Sequence, residues 1–246
     1  MDKPIDILGV PVDRVTYDDV LQFIDETLVL GSQNQVVTVN PEMVVLAQRN
    51  PDFMSLLKSS SLRTPDGAGI LWAARRLGFL PLPMRVTGTD LMARIIDQSQ
   101  VKPWTLFLLG AEEGIAEKAI QNLKNQYPRA QFVGSYAGLS THEGDDEAIR
   151  RINLAGPNIL FVAYGNPAQE FWIQRNLSKL PSIRIAIGVG GAFDFYAGKR
   201  RRAPAWIRNS GLEWSYRLFQ EPKRIGRIWN AVVQFSLLIL KSRKSR

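Results

Sequence analysis

Between Thr16 and Leu30 the apolar residues Val20, Phe23, Ile24 and Leu28 recur at helical spacing behind a Thr16-x-x-Asp19 pair, the signature of a capped amphipathic helix. Gln35 to Val39 is short and β-branched and runs into Asn40-Pro41, so it reads as a strand followed by a helix that starts on the proline, whose missing N–H would be unpaired in a first turn anyway. The alternation continues, with strands expected at Trp104 to Leu109, Ala130 to Val133, Ile159 to Tyr164 and Ile183 to Val189 and helices near 112–126, 143–155 and 168–179. A further apolar helix is expected from Ile70 to Leu77. Buried apolar strands separated by amphipathic helices predict an α/β, Rossmann-like fold, a mostly parallel doubly wound sheet.

The pattern changes at about residue 199. From there the chain carries thirteen Lys and Arg against Glu213 and Glu221, a net of +11, which leaves −3 for residues 1–198 out of a total of +8. The same tail holds a mostly apolar stretch, Trp229 to Leu240, bracketed by Arg224, Arg227 and the closing Lys241, Arg243, Lys244 and Arg246. Twelve residues are too few to cross a hydrocarbon core, which takes about 20. Apolar residues flanked by cations suit a segment lying in an anionic membrane interface; a core-packing helix with a solvated basic end is the other reading. The expected organisation is therefore an α/β core over 1–198 and a basic, helical C-terminal appendage over 199–246.

Composition narrows the field. At 246 residues and 45% hydrophobic the chain can bury a substantial core, and its lack of cysteine excludes disulfides, thiolate metal sites and a thiol nucleophile. The N-terminus has no secretory pattern and no apolar run reaches spanning length, so a cytoplasmic protein that touches the membrane from its inner face is expected. A pI of 9.9 and tail aromatics such as Trp206 and Trp214 would also suit a nucleic-acid binder, but the apolar stretch to Leu240 has no use in such an arm, and no nucleic-acid partner is expected.

Open parallel sheets bind ligands beyond the carboxyl ends of their strands. That rule selects the loops holding Thr38, Asn40, Gly110, Gly134 to Gly138, Asn166 to Gln169 and Gly188 to Asp194. Gly188, Gly190 and Gly191 would let backbone amides approach an anion such as a diphosphate, or are simply turn residues. Phe193 breaks the dinucleotide fingerprint G-x-G-x-x-G, and neither a P-loop nor a G-x-S-x-G elbow occurs, so no cofactor is expected. His142 sits in a polar turn ahead of a helix and reads as a surface or capping residue, while Asp145 and Asp146 lie on the helix start, where carboxylates favour the dipole, and read as structural. The loop Arg63-Thr64-Pro65-Asp66-Gly67-Ala68-Gly69 holds an acid between Pro and Gly, which is either an ordinary turn residue or a carboxylate displayed in a cleft.

Seven ordered motifs, VVTVNPEMVVLAQ, LRTPDGAGI, RVTGTDLM, FLLGA, YGNPAQEFWI, GVGGAFDFYAGKRRRAPAW and GLEWSYRLFQEPKR, spread from about residue 36 to 227, resemble the WecG/TagA/CpsF glycosyltransferases. The resemblance implies an inverting transfer from a UDP-sugar donor, N-acetylmannosamine or a related hexose, to a sugar on a polyprenyl diphosphate in cell-surface polysaccharide or teichoic-acid-type synthesis. A UDP-glucose-type transfer in exopolysaccharide assembly is the alternative. It implies that Asp66 is the base and that Thr38, Asn40, Arg85 and Gln169 line the reacting centre. Asp194 and Tyr136 fall where the family contacts uridine, although GSYAGLS departs from the usual loop around Tyr136. Gly110, Asn166, Gly190 and Gly191 are placed with the same UDP-sugar. Arg217, Arg224 and Arg227 match an appendage that folds over the site; with no D-x-D motif present, they are expected to hold the departing diphosphate in place of a metal. The partners implied are the donor, the lipid-linked acceptor and an anionic membrane surface, with a homo-oligomer left open.

Overall fold

The computed structural model describes residues 2–204, 206–207, 214–216 and 225–242, apart from the Arg227 side chain. Six strands form one parallel sheet: β3 (Asn34–Val39), β4 (Leu62–Pro65), β5 (Thr105–Gly110), β6 (Gln131–Tyr136), β7 (Ile159–Ala163) and β8 (Ile185–Gly188). Their order is β4-β3-β8-β7-β5-β6. The two earlier strands, β1 (Ile5–Ile7) and β2 (Val10–Val12), pair antiparallel in a separate hairpin.

The central strands β3, β8, β7 and β5 are buried on both faces because βα crossovers cover both, which is why they read as apolar runs, whereas the edge strand β6 is partly exposed. Alternate residues serve opposite faces: Val36, Leu106, Leu108, Phe161 and Ile187 join a core with α1 (Tyr17–Leu30), α5 (Gly88–Gln98) and α6 (Ile115–Gln126). On the other face Val37 and Val39 pack with the hairpin, α2 (Pro41–Ala47), α3 (Pro51–Ser59) and α4 (Ala68–Arg76). Farther along that face, Phe107, Leu109, Leu160 and Val162 meet α7 (Asp145–Ala155) and α8 (Ala168–Asn176).

The first helix bears out its capping signature. Thr16 Oγ1 accepts from the Asp19 amide at 3.2 Å while the Asp19 carboxylate accepts from the Thr16 amide at 2.7 Å. Two sequence expectations change. Arg63 to Pro65 belongs to β4 and not to a loop, paired in register with Val37 to Val39 and closed by Asp66 N donating to Val39 O at 2.8 Å. The apolar stretch of the tail also packs on the core. It lies in a helix that is α-helical at Ile225–Ile228, π-helical at Trp229–Gln234 and α-helical again at Phe235–Ser242, with Phe235 and Ile239 in the same core as α2 and α4. Trp229, Leu237 and Leu240 stay exposed, so the segment combines a core-packing face with an apolar outer face.

Candidate active site

A cavity of about 530 Å³ opens beyond the carboxyl ends of β4, β3, β8 and β7, within the roughly 300–1,000 Å³ span of small-molecule sites. Thr38, Asn40, Asp66, Arg85, Asn166, Gln169, Gly190 and Gly191 all line it. Residues up to 153 positions apart in the chain therefore meet because the sheet places β4 and β3 beside β8 and β7.

Each side chain is held by local structure. Asn40 is the N-cap of α2, its Oδ1 accepting from Met43 N at 3.1 Å. Thr38 donates from Oγ1 to Gly188 O at 3.4 Å, tying β3 to the end of β8. Asp66 sits just past β4, and the next residue, Gly67, turns into α4 at φ 98°, a conformation that only glycine takes without strain. Arg85 reaches the same place because Val86 donates to Pro65 O at 2.8 Å and accepts from Thr64 Oγ1 at 3.2 Å, fastening the 84–87 segment to the tip of β4.

Gln169 is the most constrained residue of the wall. Its Oε1 accepts from Gly165 N at 3.1 Å and from Gly190 N at 3.0 Å, and its Nε2 donates to Glu170 Oε1 at 2.7 Å. One carboxamide thus joins the loops after β7 and β8, with one N–H remaining for a ligand. Glu170 is completely buried, and a Cβ at Gly188 would stand 2.4 Å from Gln169 Nε2, so this packing requires glycine.

The cavity wall carries both signs of charge, Glu42 and Asp66 beside two arginines and two helix N-termini. Gly67 and Ala68 open α4, and Gly88 and Thr89 open α5, all on the wall, so both helix N-termini favour an anion there. Arg85 and Arg202 add cations, the latter pairing through both terminal nitrogens with Asp90 at 2.5 and 2.7 Å. Apolar surface comes from Trp72 on α4 and from Ile228, Ala231, Val232 and Phe235 of the C-terminal helix, with Trp72 and Phe235 rings 6.5 Å apart. Among the described residues no group of three or more His, Asp or Glu could hold a metal ion.

Three expected residues stand off this cavity, along the same carboxyl edge. Gly110 ends β5, pressed so closely on β7 that a Cβ would lie 2.9 Å from the Ala163 carbonyl carbon. Tyr136 ends β6 under the Arg151 guanidinium, 4.3 Å away. Asp194, on α9 (Ala192–Tyr196), pairs with Arg200 at 3.3 Å, and both would be 3.6 Å from a Cβ on Gly191. Arg217 and Arg224 and the side chain of Arg227 lie outside the described residues. His142 is surface-exposed, as expected, 3.6 Å from Asp145, which is buried and pairs with Arg175 on α8; among the described residues no side chain caps this helix start.

Several residues on or behind the wall have no role assigned by the sequence motifs. Thr87 and Asp90 form a readable cap, the Thr87 hydroxyl accepting from Asp90 N at 3.2 Å, and the apolar spacing of Leu91, Met92, Ile95 and Ile96 marks the helix behind it. Trp72 and Arg202 on the wall, and Glu170 buried behind Gln169, have no such local signal, because only the tertiary fold brings them to these places.

Comparison with known proteins places these features in context. The model of the glycosyl transferase WecG/TagA/CpsF family matches residues 5–246. Curated relatives from Staphylococcus aureus strains MW2 and MRSA252, each named N-acetylglucosaminyldiphosphoundecaprenol N-acetyl-beta-D-mannosaminyltransferase, are 33% identical over 242 residues, covering 98% of this chain and 93% of theirs.

Proposed function

The chain belongs to the glycosyl transferase WecG/TagA/CpsF family, and from that premise we propose that it moves N-acetylmannosamine or a closely related hexose from a UDP-sugar to the hydroxyl of a polyprenyl-diphosphate-linked sugar, with inversion. The observation that carries the reading is the convergence of Asp66, Arg85 and Gln169 on one cavity flanked by two helix N-termini. The relatives' name supplies the acceptor, a GlcNAc on diphosphoundecaprenol, and the product sugar.

In this mechanism Asp66 accepts the proton of the acceptor hydroxyl as the new C–O bond forms, and the bond from the anomeric carbon to UDP breaks on the opposite side. A carboxylate is far too weak a base to form a free alkoxide from a sugar hydroxyl, so the proton moves only in concert with bond formation, an assistance of about 10² to 10⁴-fold. The leaving diphosphate gains charge, which the N-termini of α4 and α5, Arg85 and the appendage arginines Arg217, Arg224 and Arg227 stabilise. Asn166, Gly190 and Gly191 contact the donor, and Gly110, Tyr136 and Asp194 form the uridine shelf beside the cavity. The acceptor's lipid tail keeps the enzyme on the inner membrane face; no helix among the described residues is long and apolar enough to cross a membrane.

The deciding experiment measures UDP release from a panel of UDP-sugars with a short-chain lipid-diphosphate-GlcNAc acceptor. Wild-type turnover is expected with UDP-N-acetylmannosamine and to survive chelation, and Asp66→Asn should lower it by about 10²-fold or more with little change in UDP affinity. Near-normal turnover of Asp66→Asn would assign the base elsewhere, and loss on chelation restored by Mg²⁺ would assign the leaving-group role to a metal.

A further inference from the structure

From Gly67 to Thr89 the chain carries Arg75, Arg76 and Arg85 and not one Asp or Glu. After α4 it runs through Gly78-Phe79-Leu80-Pro81-Leu82-Pro83-Met84 to Arg85, which lines the cavity. Leu82 is buried in the core shared with Phe235 and Ile239, and Phe79 packs against that core, so the loop is pinned at its middle and near its start. Pro81 and Pro83 fix their backbone torsions on either side of Leu82. The remaining side chains face outward: Leu80 is 69% exposed and Met84 37%.

Single exposed apolar residues are ordinary, but these two flank one pinned turn, and Met84 directly precedes Arg85 of the cavity wall. Trp72 of α4, partly exposed, forms the adjoining cavity wall, and Leu237 and Leu240 are exposed on the C-terminal helix, whose Phe235 and Ile239 share the buried core with Leu82. Exposed Arg75 and Arg76 flank the loop at the end of α4. A stiff loop that presents apolar side chains beside cations, with no nearby acid in its own sequence, complements a surface with an apolar interior and anionic headgroups.

We infer that the 78–85 loop is a membrane-docking surface of the core, distinct from the basic tail: Leu80 and Met84 enter the acyl boundary of an anionic bilayer while Arg75 and Arg76 meet its phosphates. Its consequence for catalysis rests on the proposed lipid-linked acceptor. Docked this way, the rim carrying Trp72 and Arg85 lies against the lipid, and a diphosphate at the headgroup level faces the cavity without leaving the membrane.

Because the basic, apolar-faced tail also suits a lipid surface, the test must report on the loop itself. The chain has no cysteine, so Leu80→Cys in the full chain takes a single environment-sensitive fluorophore. Its emission should shift to the blue on vesicles of phosphatidylcholine with phosphatidylglycerol and stay unchanged on phosphatidylcholine alone. In parallel, Leu80→Asp/Met84→Asp should keep wild-type turnover on a water-soluble short-chain acceptor and lose about tenfold or more on a long-chain acceptor embedded in the anionic vesicles. A label that stays in water on anionic vesicles, or a double variant equal to wild type on the embedded acceptor, overturns the docking surface. So does a blue shift that depends on protein concentration without vesicles, which would assign the loop to a contact between copies of the chain. Failure of the wild type on both acceptors would instead reject the proposed function, while the fluorescence result still decides the surface.

Discussion

Gln169 illustrates how little freedom a wall residue has. Its carbonyl oxygen holds two backbone amides and its amide donates to a buried carboxylate, so the orientation of the carboxamide is set by its neighbours. Gln169→Glu would place a second carboxylate against Glu170, and like charges in a buried pair cost several kcal/mol unless one is neutralised. We expect that substitution to lower the melting temperature and abolish transfer, and Gln169→Glu/Glu170→Gln to recover more than half of the stability, because an amide at 170 can donate to the new carboxylate. Thermal melts of the three variants check this. The residues nameable from sequence, Thr38, Asn40, Asp66, Arg85 and Gln169, lie at strand ends or inside compact motifs. Glu170 stood one position from Gln169 and was not nameable, since nothing local tells a buried acid from a solvated helix residue. Arg202 depends on Asp90, 112 positions away, and is placed only by the fold.

Among the elements, the C-terminal helix departs most from the sequence expectation. Apolar spacing and flanking cations suit a membrane segment and a core-packing helix equally, and what decides is the apolar face left open by α2 and α4, which a linear pattern does not contain. Phe235, fully buried against that face, is expected to cost about 3–5 kcal/mol as Phe235→Ala, whereas the exposed Leu237→Ala should stay within about 0.5 kcal/mol. Urea unfolding distinguishes the two, and a truncation at 229 should consequently unfold more readily than the whole chain. The strand β4 was missed for a different reason: four residues containing Arg and Pro carry little β signal, and pairing with β3 overrides that propensity. The α7–α8 contact behaves as a pH-sensitive clamp. Burial pushes the Asp145 carboxyl upward, but the hydrogen bonds from Arg175 at 2.6 and 2.8 Å and the Arg175 charge outweigh it and hold the group below its ordinary value. A lowered value in the folded state means the pair contributes fully above the usual aspartate range, about 3.9, and is lost as pH falls through the lowered value. Asp145→Asn should therefore be less stable than wild type at neutral pH, with the difference shrinking in acid; unfolding free energies across that range measure it.

At the scale of the molecule, the parallel sheet was legible because its central strands, buried on both faces, leave apolar runs, and the carboxyl-edge rule then pointed to the loops where the cavity lies. The strand order was not legible, since apolar runs do not name their neighbours. That order has a consequence for the making of the protein. Thr38 bonds to Gly188, 150 positions later, and β3 pairs along one edge with β8. During synthesis β3 can acquire β4 early, but its other edge stays open until almost the whole core has left the ribosome. Long-range pairing of this kind is slow, and an open, flat, apolar strand edge is a template for the wrong partner. A chain released just before Ile185 is expected to aggregate when expressed and to remain soluble only with a chaperone that covers such an edge, as sedimentation of the lysate would show. The cavity and the central hydrogen-bonded seam are thus completed by the same late event, so a nascent chain has no such cavity to expose until its sheet is sealed.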